Sequence, residues 1–215
     1  MGDWVLPSLS QVLDRPMLAT GSHLGLTIAQ RTARSQREWR GAVLALELLL
    51  QTLPKPEEGD RSGLILSGPA PIIGHPEILQ QFDNWTFTAH PLAAAFGIAR
   101  RLAPAAVAAF TKPNADDAPH HTITLVPQDC LAAEQFCMVR TNTFSLTLLL
   151  SQNSQGQPQF WFSFDPDIND RIWQILRLRV VMLNEQHLAA LDQAIRPVSP
   201  PSHHPTKRSA SSPRP

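Results

Sequence analysis

Two cysteines in 215 residues are too few to build a disulfide scaffold, so whatever fold forms must be held by its core. Cys130 and Cys137 also lack the Cys-x-x-Cys spacing of redox or zinc motifs, and the apolar residues around them make both read as buried thiols. No apolar run is long enough to cross a bilayer: the longest, Val43 to Leu50, is interrupted by Glu47. The first residues, Met-Gly-Asp-Trp-Val-Leu, carry an acid where a secretory leader carries a base, so a cytoplasmic location is expected. An excess of charge is missing too. Eighteen basic residues balance eighteen acidic ones, leaving no field to draw the chain to nucleic acid or an anionic membrane.

Catalytic signatures are equally scarce. No Gly-x-Gly and no Gly-x-Ser-x-Gly occurs, so neither a glycine-rich phosphate loop nor a hydrolase nucleophile turn is present. Ser67-Gly68-Pro69 follows a strand-like run, but Pro69 and Pro71 remove two backbone donors that a phosphate cradle would use; it reads as a tight turn.

What is present is apolar material, 43% of the chain, enough for one α/β core. Leu6, Leu9 and Leu13 share a face over residues 4–15, predicting a short leading helix before Pro16, with residues 1–22 forming this helix and a connector. A helix is expected from His23 to Leu53, its second half presenting Trp39, Val43, Leu46, Leu50 and Leu53 to a core. Gly63 to Ser67 reads as a short buried strand. It is followed by a helix near Pro76 to Asp83, a strand Trp85 to Ala89, and an Ala-rich helix from Leu92 to Phe110 kinked at Pro104.

The chain then turns to strands at Thr122 to Val126, Phe136 to Thr141, Phe144 to Gln152 and Gln159 to Phe164, the last two joined as a hairpin. Asp165-Pro166 is a strong helix start, a capping carboxylate followed by a residue with preset φ. That helix should run to Leu183 with Ile168, Ile172, Ile175, Leu176, Val180 and Leu183 inward, and a last helix should end near Ile195. Residues 196–215, rich in Pro, Ser, His and base, lack the apolar surface to order themselves and read as a disordered tail. The expectation is one α+β domain over residues 23–195, with a single mixed or largely antiparallel sheet flanked by helices and the carboxyl-terminal hairpin at the sheet's centre.

The order of these pieces is individual. Gln36-Arg37-Glu38-Trp39 on a helix, the strand Gly63-Leu-Ile-Leu-Ser and Asn84-Trp85-Thr86-Phe87 are followed by Leu131-Ala-Ala-Glu134-Gln-Phe136-Cys137-Met-Val139. Then come the strand Phe144 to Gln152 and Phe160-Trp161-Phe162-Ser163-Phe164-Asp165-Pro166. From Ser35 to Leu183 this resembles the DICT sensory domain of diguanylate cyclases and two-component systems, in the form found at the amino ends of cyanobacterial sensor kinases. The resemblance implies a cytoplasmic signal-input module without catalytic residues, normally joined to a transmitter. The transmitter's own marks, a phosphoacceptor His followed by Glu and a Gly-rich lid, are not in this sequence; His187 stands in Glu185-Gln-His-Leu. The expected role is therefore an input domain cut from a kinase or acting on one in trans.

Each candidate site residue has a plain structural role as its rival. Phe160, Phe162 and Phe164 alternate with Trp161, so a strand would line one face with rings; with Trp85 they are candidates for a planar-ligand pocket, although core packing is the commoner use. Arg31, Arg34, Arg37 and Arg40 recur every three residues as a drifting basic stripe, a candidate surface for a partner protein or simply a solvated face. The adjacent pairs His120-His121 and His203-His204 are poorly placed to converge on a metal. No catalytic residue, metal or cofactor is assigned. The expected partners are signalling proteins, a histidine kinase or diguanylate cyclase in cis or in trans, with a homodimer possible and no nucleic acid or membrane. The rival expectations are an adaptor using the arginine stripe or a sheet edge, a small enzyme of unrecognised type, and a gene remnant.

Overall fold

Leu64, Ile65 and Leu66 are consecutive and all buried, the mark of a strand covered on both faces. They form the middle of β1 (Gly63–Gly68), an interior strand of a six-stranded mixed sheet. The computed structural model describes residues 6–13, 27–57, 60–89, 120–153 and 155–195. Within them the chain runs α1 (Ser10–Leu13), α2 (Ile28–Gln51), β1, α3 (Pro76–Gln81), β2 (Phe82–Thr88) and β3 (His120–Thr124), then a short 3-10 turn (Cys130–Ala133). It continues through β4 (Gln135–Thr141), β5 (Ser145–Gln152), β6 (Pro158–Ser163) and α4 (Pro166–Leu183) to a 3-10 turn (Glu185–His187) and α5 (Leu188–Ile195). The expected helix at 92–110 and tail at 196–215 lie outside the described residues.

The strand order is β3-β2-β1-β4-β5-β6. β1, β2 and β3 are mutually parallel, whereas β4, β5 and β6 alternate antiparallel from β1 outward. The sheet is mixed, as the sequence implied. The β5–β6 hairpin is not at its centre, however. β1 pairs with β4 along its whole length, and this non-local pairing pushes the hairpin outward until β6 is an edge among the described residues.

Alternation along each strand sorts the side chains into two cores. On one face Leu64, Leu66, Trp85, Phe87, Ile123, Phe136, Met138 and Leu149 meet Leu9 of the amino-terminal segment and Ile172, Trp173, Leu176 and Val180 of α4. On the other, Ile65, Phe82, Cys137, Val139, Leu146, Leu148 and Leu150 meet Trp39, Val43, Leu46 and Leu50 of α2 and Ile78 of α3. The helix-spaced stripe of α2 is buried where its periodicity placed it, with Leu53 packed just beyond the helix end. Thr27 caps α2 by accepting from the Gln30 amide at 3.3 Å, while the Gln30 side chain takes the Thr27 amide at 2.9 Å.

Asp165 caps α4 as expected, accepting from the Asp167 amide at 2.9 Å, with Pro166 in the first turn. Two details of α4 differ from the periodic reading. Leu183 is exposed because the helix ends there, and the inward positions include Asn169 and Arg179, both fully buried. The leading helix is shorter than expected, since Leu6 to Leu9 are not helical.

Candidate functional site

The four aromatic residues singled out for a ligand do not share one site, although Phe160 and Phe162 stack on each other. Trp85 and Trp161 face the α4 core, Phe160 and Phe162 the α2 side. Trp85 on β2 is also four strand steps from β6, about 19 Å. Phe160 packs edge-on against Trp39 (centroids 6.2 Å), and beyond it Phe162 and Phe164 stand 56% and 51% exposed. The rings run as a line, Phe160–Phe162 at 6.1 Å, Phe162–Phe164 at 6.4 Å and Phe164–Phe144 at 6.1 Å.

The arginine stripe is not one charged face. Steps of three lag the helical repeat by about 60° each, so Arg31 and Arg40 point to opposite sides. Arg31 donates to Gln157 at 2.5 Å on the hairpin tip, and Arg34 pairs with Glu38 at 2.8 Å; Arg37 and Arg40 are exposed. His120 and His121, adjacent on β3, go to opposite faces of the sheet. His121 stacks on Trp85 (4.2 Å, 21°), and His187 meets the same indole edge-on at 5.0 Å. His120 Nε2 lies 3.1 Å from Thr86 Oγ1, which lies 3.1 Å from Ser67 Oγ. Burial, and secondarily the neighbouring His121, hold the His120 pKa down to about 4. Among the described residues no group of three potential ligands could hold a metal ion. His203 and His204 lie outside them.

The most developed polar constellation is one that sequence reasoning passed over. Arg179, fully buried on α4, grips Asp129 through Nε at 2.8 Å and Nη2 at 2.7 Å, in the two-pronged geometry that suits a guanidinium and a carboxylate. Its remaining donors reach the carbonyls of Ile175 at 3.1 Å and Pro7 at 3.0 Å. Asp129 Oδ1 also takes the Leu131 amide at 2.9 Å. Next to them Glu134, likewise buried, accepts the amides of Leu9 at 2.7 Å and Ser10 at 3.0 Å. The Cys130 thiol donates to the carbonyl of Leu6 at 3.2 Å. Its surroundings are therefore polar rather than apolar; burial raises its pKa while the Arg179 charge opposes that rise. Cys137 is the buried apolar thiol expected, its pKa pushed up to about 12 by burial.

This network ties three distant stretches together: the amino-terminal segment, the turn before β4, and α4. The sequence did hold a clue. Arg179 sits three residues after Leu176 and seven after Ile172, on the inward stripe, and a cation there requires a buried acid.

A second polar pin fixes the start of α4. Asn169 accepts from Thr147 Oγ1 at 2.6 Å and donates to Ser145 Oγ at 2.9 Å, from beneath the helix to the start of β5. Outside the core, Arg140 reaches Asp170 at 2.6 Å, and Arg177 holds Asp192 on α5 at 2.8 Å. α4 is thus set against the sheet by hydrogen-bonding groups at both ends. Such contacts are made at one register or not at all.

A family model described as Domain of unknown function (DUF8628) matches residues 18–209. The protein named Sensor histidine kinase Hik34, of Synechocystis sp. (strain ATCC 27184 / PCC 6803 / Kazusa), is 35% identical over 169 residues, 75% of this chain and 33% of that protein. The chain thus spans about a third of the length of the curated relative it matches. No solved structure matches. Among the described residues no helix is long and apolar enough to cross a membrane.

Proposed function

Because the chain belongs to the family described as Domain of unknown function (DUF8628) and is akin to part of a sensor histidine kinase, we propose that it is a non-catalytic signal-input domain for such a kinase. It is of the DICT type, works in the cytoplasm, and acts on a histidine kinase, or on a diguanylate cyclase, in cis or in trans. The observation that carries this reading is the 35% identity to a stretch that makes up only a third of Hik34, the size of an input domain rather than of a whole kinase.

The molecule offers a physical means for the task. A signal changes the balance between two arrangements only if it interacts differently with each. The full buried set at Arg179 exists only when the amino-terminal segment, the turn at Asp129 and α4 are all seated, so displacing any one of them strips contacts from the others. α4 and α5 are the output, because they follow the sheet in the chain and are held to it by these discrete contacts.

The test is a chimera in which this chain replaces the matching stretch of Hik34. Its autophosphorylation should shift severalfold when Asp129→Asn loosens the Arg179 contact, while circular dichroism shows the domain still folded. Equal phosphorylation in both chimeras, each with a folded input domain, contradicts the proposal. So does turnover of a substrate by the isolated chain.

A further inference from the structure

Among the described residues β6 is an edge strand with none of the usual protection. Natural edges carry charges, interior prolines or bulges that prevent pairing with another strand. Pro158-Gln-Phe-Trp-Phe-Ser163 has no charged residue, its only proline is at the first position, and it pairs with β5 residue for residue without a bulge. The hairpin fixes which of its backbone groups are available. Asn153 donates to the Gln157 carbonyl at 2.9 Å, so by alternation Gln159, Trp161 and Ser163 bond inward to β5. Phe160 and Phe162 therefore present their N–H and C=O groups outward, where no described element pairs with them.

From this edge we infer that β6 is a dimer interface in which it pairs antiparallel with β6 of a second copy of the chain. Pro158 decides the register. Placing it in the middle of a ladder would lose a donor, and the arrangement centred on Trp161 avoids this. There Phe160 and Phe162 of the partner subunit exchange both backbone hydrogen bonds, and symmetry repeats the exchange.

The side chains agree with that register. Phe160 comes opposite Phe162 of the partner subunit, and Phe164 opposite the partner's Pro158, so both half-exposed rings are covered by apolar partners. Charge agrees as well. Gln157, held by Arg31, faces Asp165 of the partner subunit, with the partner's Asp167 in the first turn of its helix. Opposite charges thus flank a neutral strand at each end, which favours a strand identical in sequence running the other way. The inference does not depend on the signalling role.

Light scattering of the full chain over a wide concentration series tests it. The expected mass is twice the 23.7 kDa of one copy, and Phe162→Lys, at an exposed position, should return the mass to one copy with unchanged circular dichroism. The double variant Gln159→Cys/Ser163→Cys reads the register, because the inferred pairing puts residue 159 opposite residue 163 of the partner subunit. Within one copy the two positions are about 13 Å apart on the strand, beyond disulfide reach. Mild oxidation should therefore yield a covalent dimer that the parent chain does not form. A monomer at every concentration overturns the inference, as does a dimer indifferent to Phe162→Lys. A monomer whose β6 amides become protected only when the remainder of Hik34 is added overturns the assignment to a second copy.

Discussion

The two faces of the sheet are held by different physics. Under α2 the seam from Trp39 to Leu50 is apolar, Trp39, Val43, Leu46 and Leu50 against Ile65, Val139, Leu148 and Leu150. Its polar contacts are peripheral: Ser35 to the Pro158 carbonyl at 3.2 Å, Arg31 to Gln157, and Glu47 to the Gly74 amide at 3.0 Å. Under α4 the seam is apolar in the middle and polar at both ends, with Asn169 near its start and Arg179 near its finish. Apolar contact is non-directional and scales with area, so it gives stability without fixing one arrangement. A buried ion pair adds little net stability, yet breaking one partner is severe because it strands a charge. On the proposed signalling role, the contrast assigns the α2 layer as the foundation of the domain and the α4 layer as the part that a signal would move.

The strongest challenge to this contrast is to strand that charge. Asp129→Ala leaves Arg179 buried without its acid and should destabilise the fold by about 3–5 kcal/mol in urea unfolding. Asp129→Leu combined with Arg179→Met, which removes both charges, should recover most of that. A loss under about 1 kcal/mol in the single variant would mean that the pair behaves as a solvated surface bridge and does not pin α4. Leu46→Ala, on the other face, should lower stability by about 2–5 kcal/mol through its cavity. It should do so with cooperative loss of every element, since no local contact set is released.

Acid sharpens the comparison at the β3 edge. His120 titrates at about 4 when folded against about 6.5 when unfolded, so between these values the unfolded chain holds the extra proton. Its contribution is present above pH 6.5 and is lost as pH falls toward 4, up to about 3 kcal/mol. His120→Gln should flatten that part of the stability profile; an unchanged slope would assign the acid sensitivity elsewhere. The smallest effect is expected from Thr147→Val, which leaves the Asn169 carbonyl oxygen without its donor, about 1–3 kcal/mol. That loss should fall on α4 before it falls on α2.

Local chemistry made much of the fold legible in advance. The cap at Asp165-Pro166 placed the start of α4, the stripe through Leu50 oriented α2, and strand alternation sent Trp161 away from Phe160 and Phe162. Boundaries slipped where neighbouring elements compete: β2 begins at Phe82 rather than Trp85 because α3 ends at Gln81 and passes straight into it. Strand order was not legible, since the β1–β4 pairing joins stretches some seventy residues apart and leaves no local trace.

The candidate site was legible only in half. Arg179 on an apolar stripe announces a buried acid, but nothing local says that the acid is Asp129, fifty residues away. That Glu134 and Cys130 would clasp the amino-terminal segment depends wholly on tertiary placement. The aromatic residues misled for the opposite reason. Their alternation was real, but β2 and β6 lie near opposite edges of the sheet, so one pocket cannot hold Trp85 and Phe160 together.

Native-state hydrogen exchange of the Asp129→Asn variant against the parent chain reads the central contrast amide by amide. Released contacts at Arg179 should speed exchange selectively in α4 and α5, leaving the amides of α2 between Trp39 and Leu50 as protected as before. Equal acceleration in both layers would mean that the sheet has no movable side, and would contradict the account.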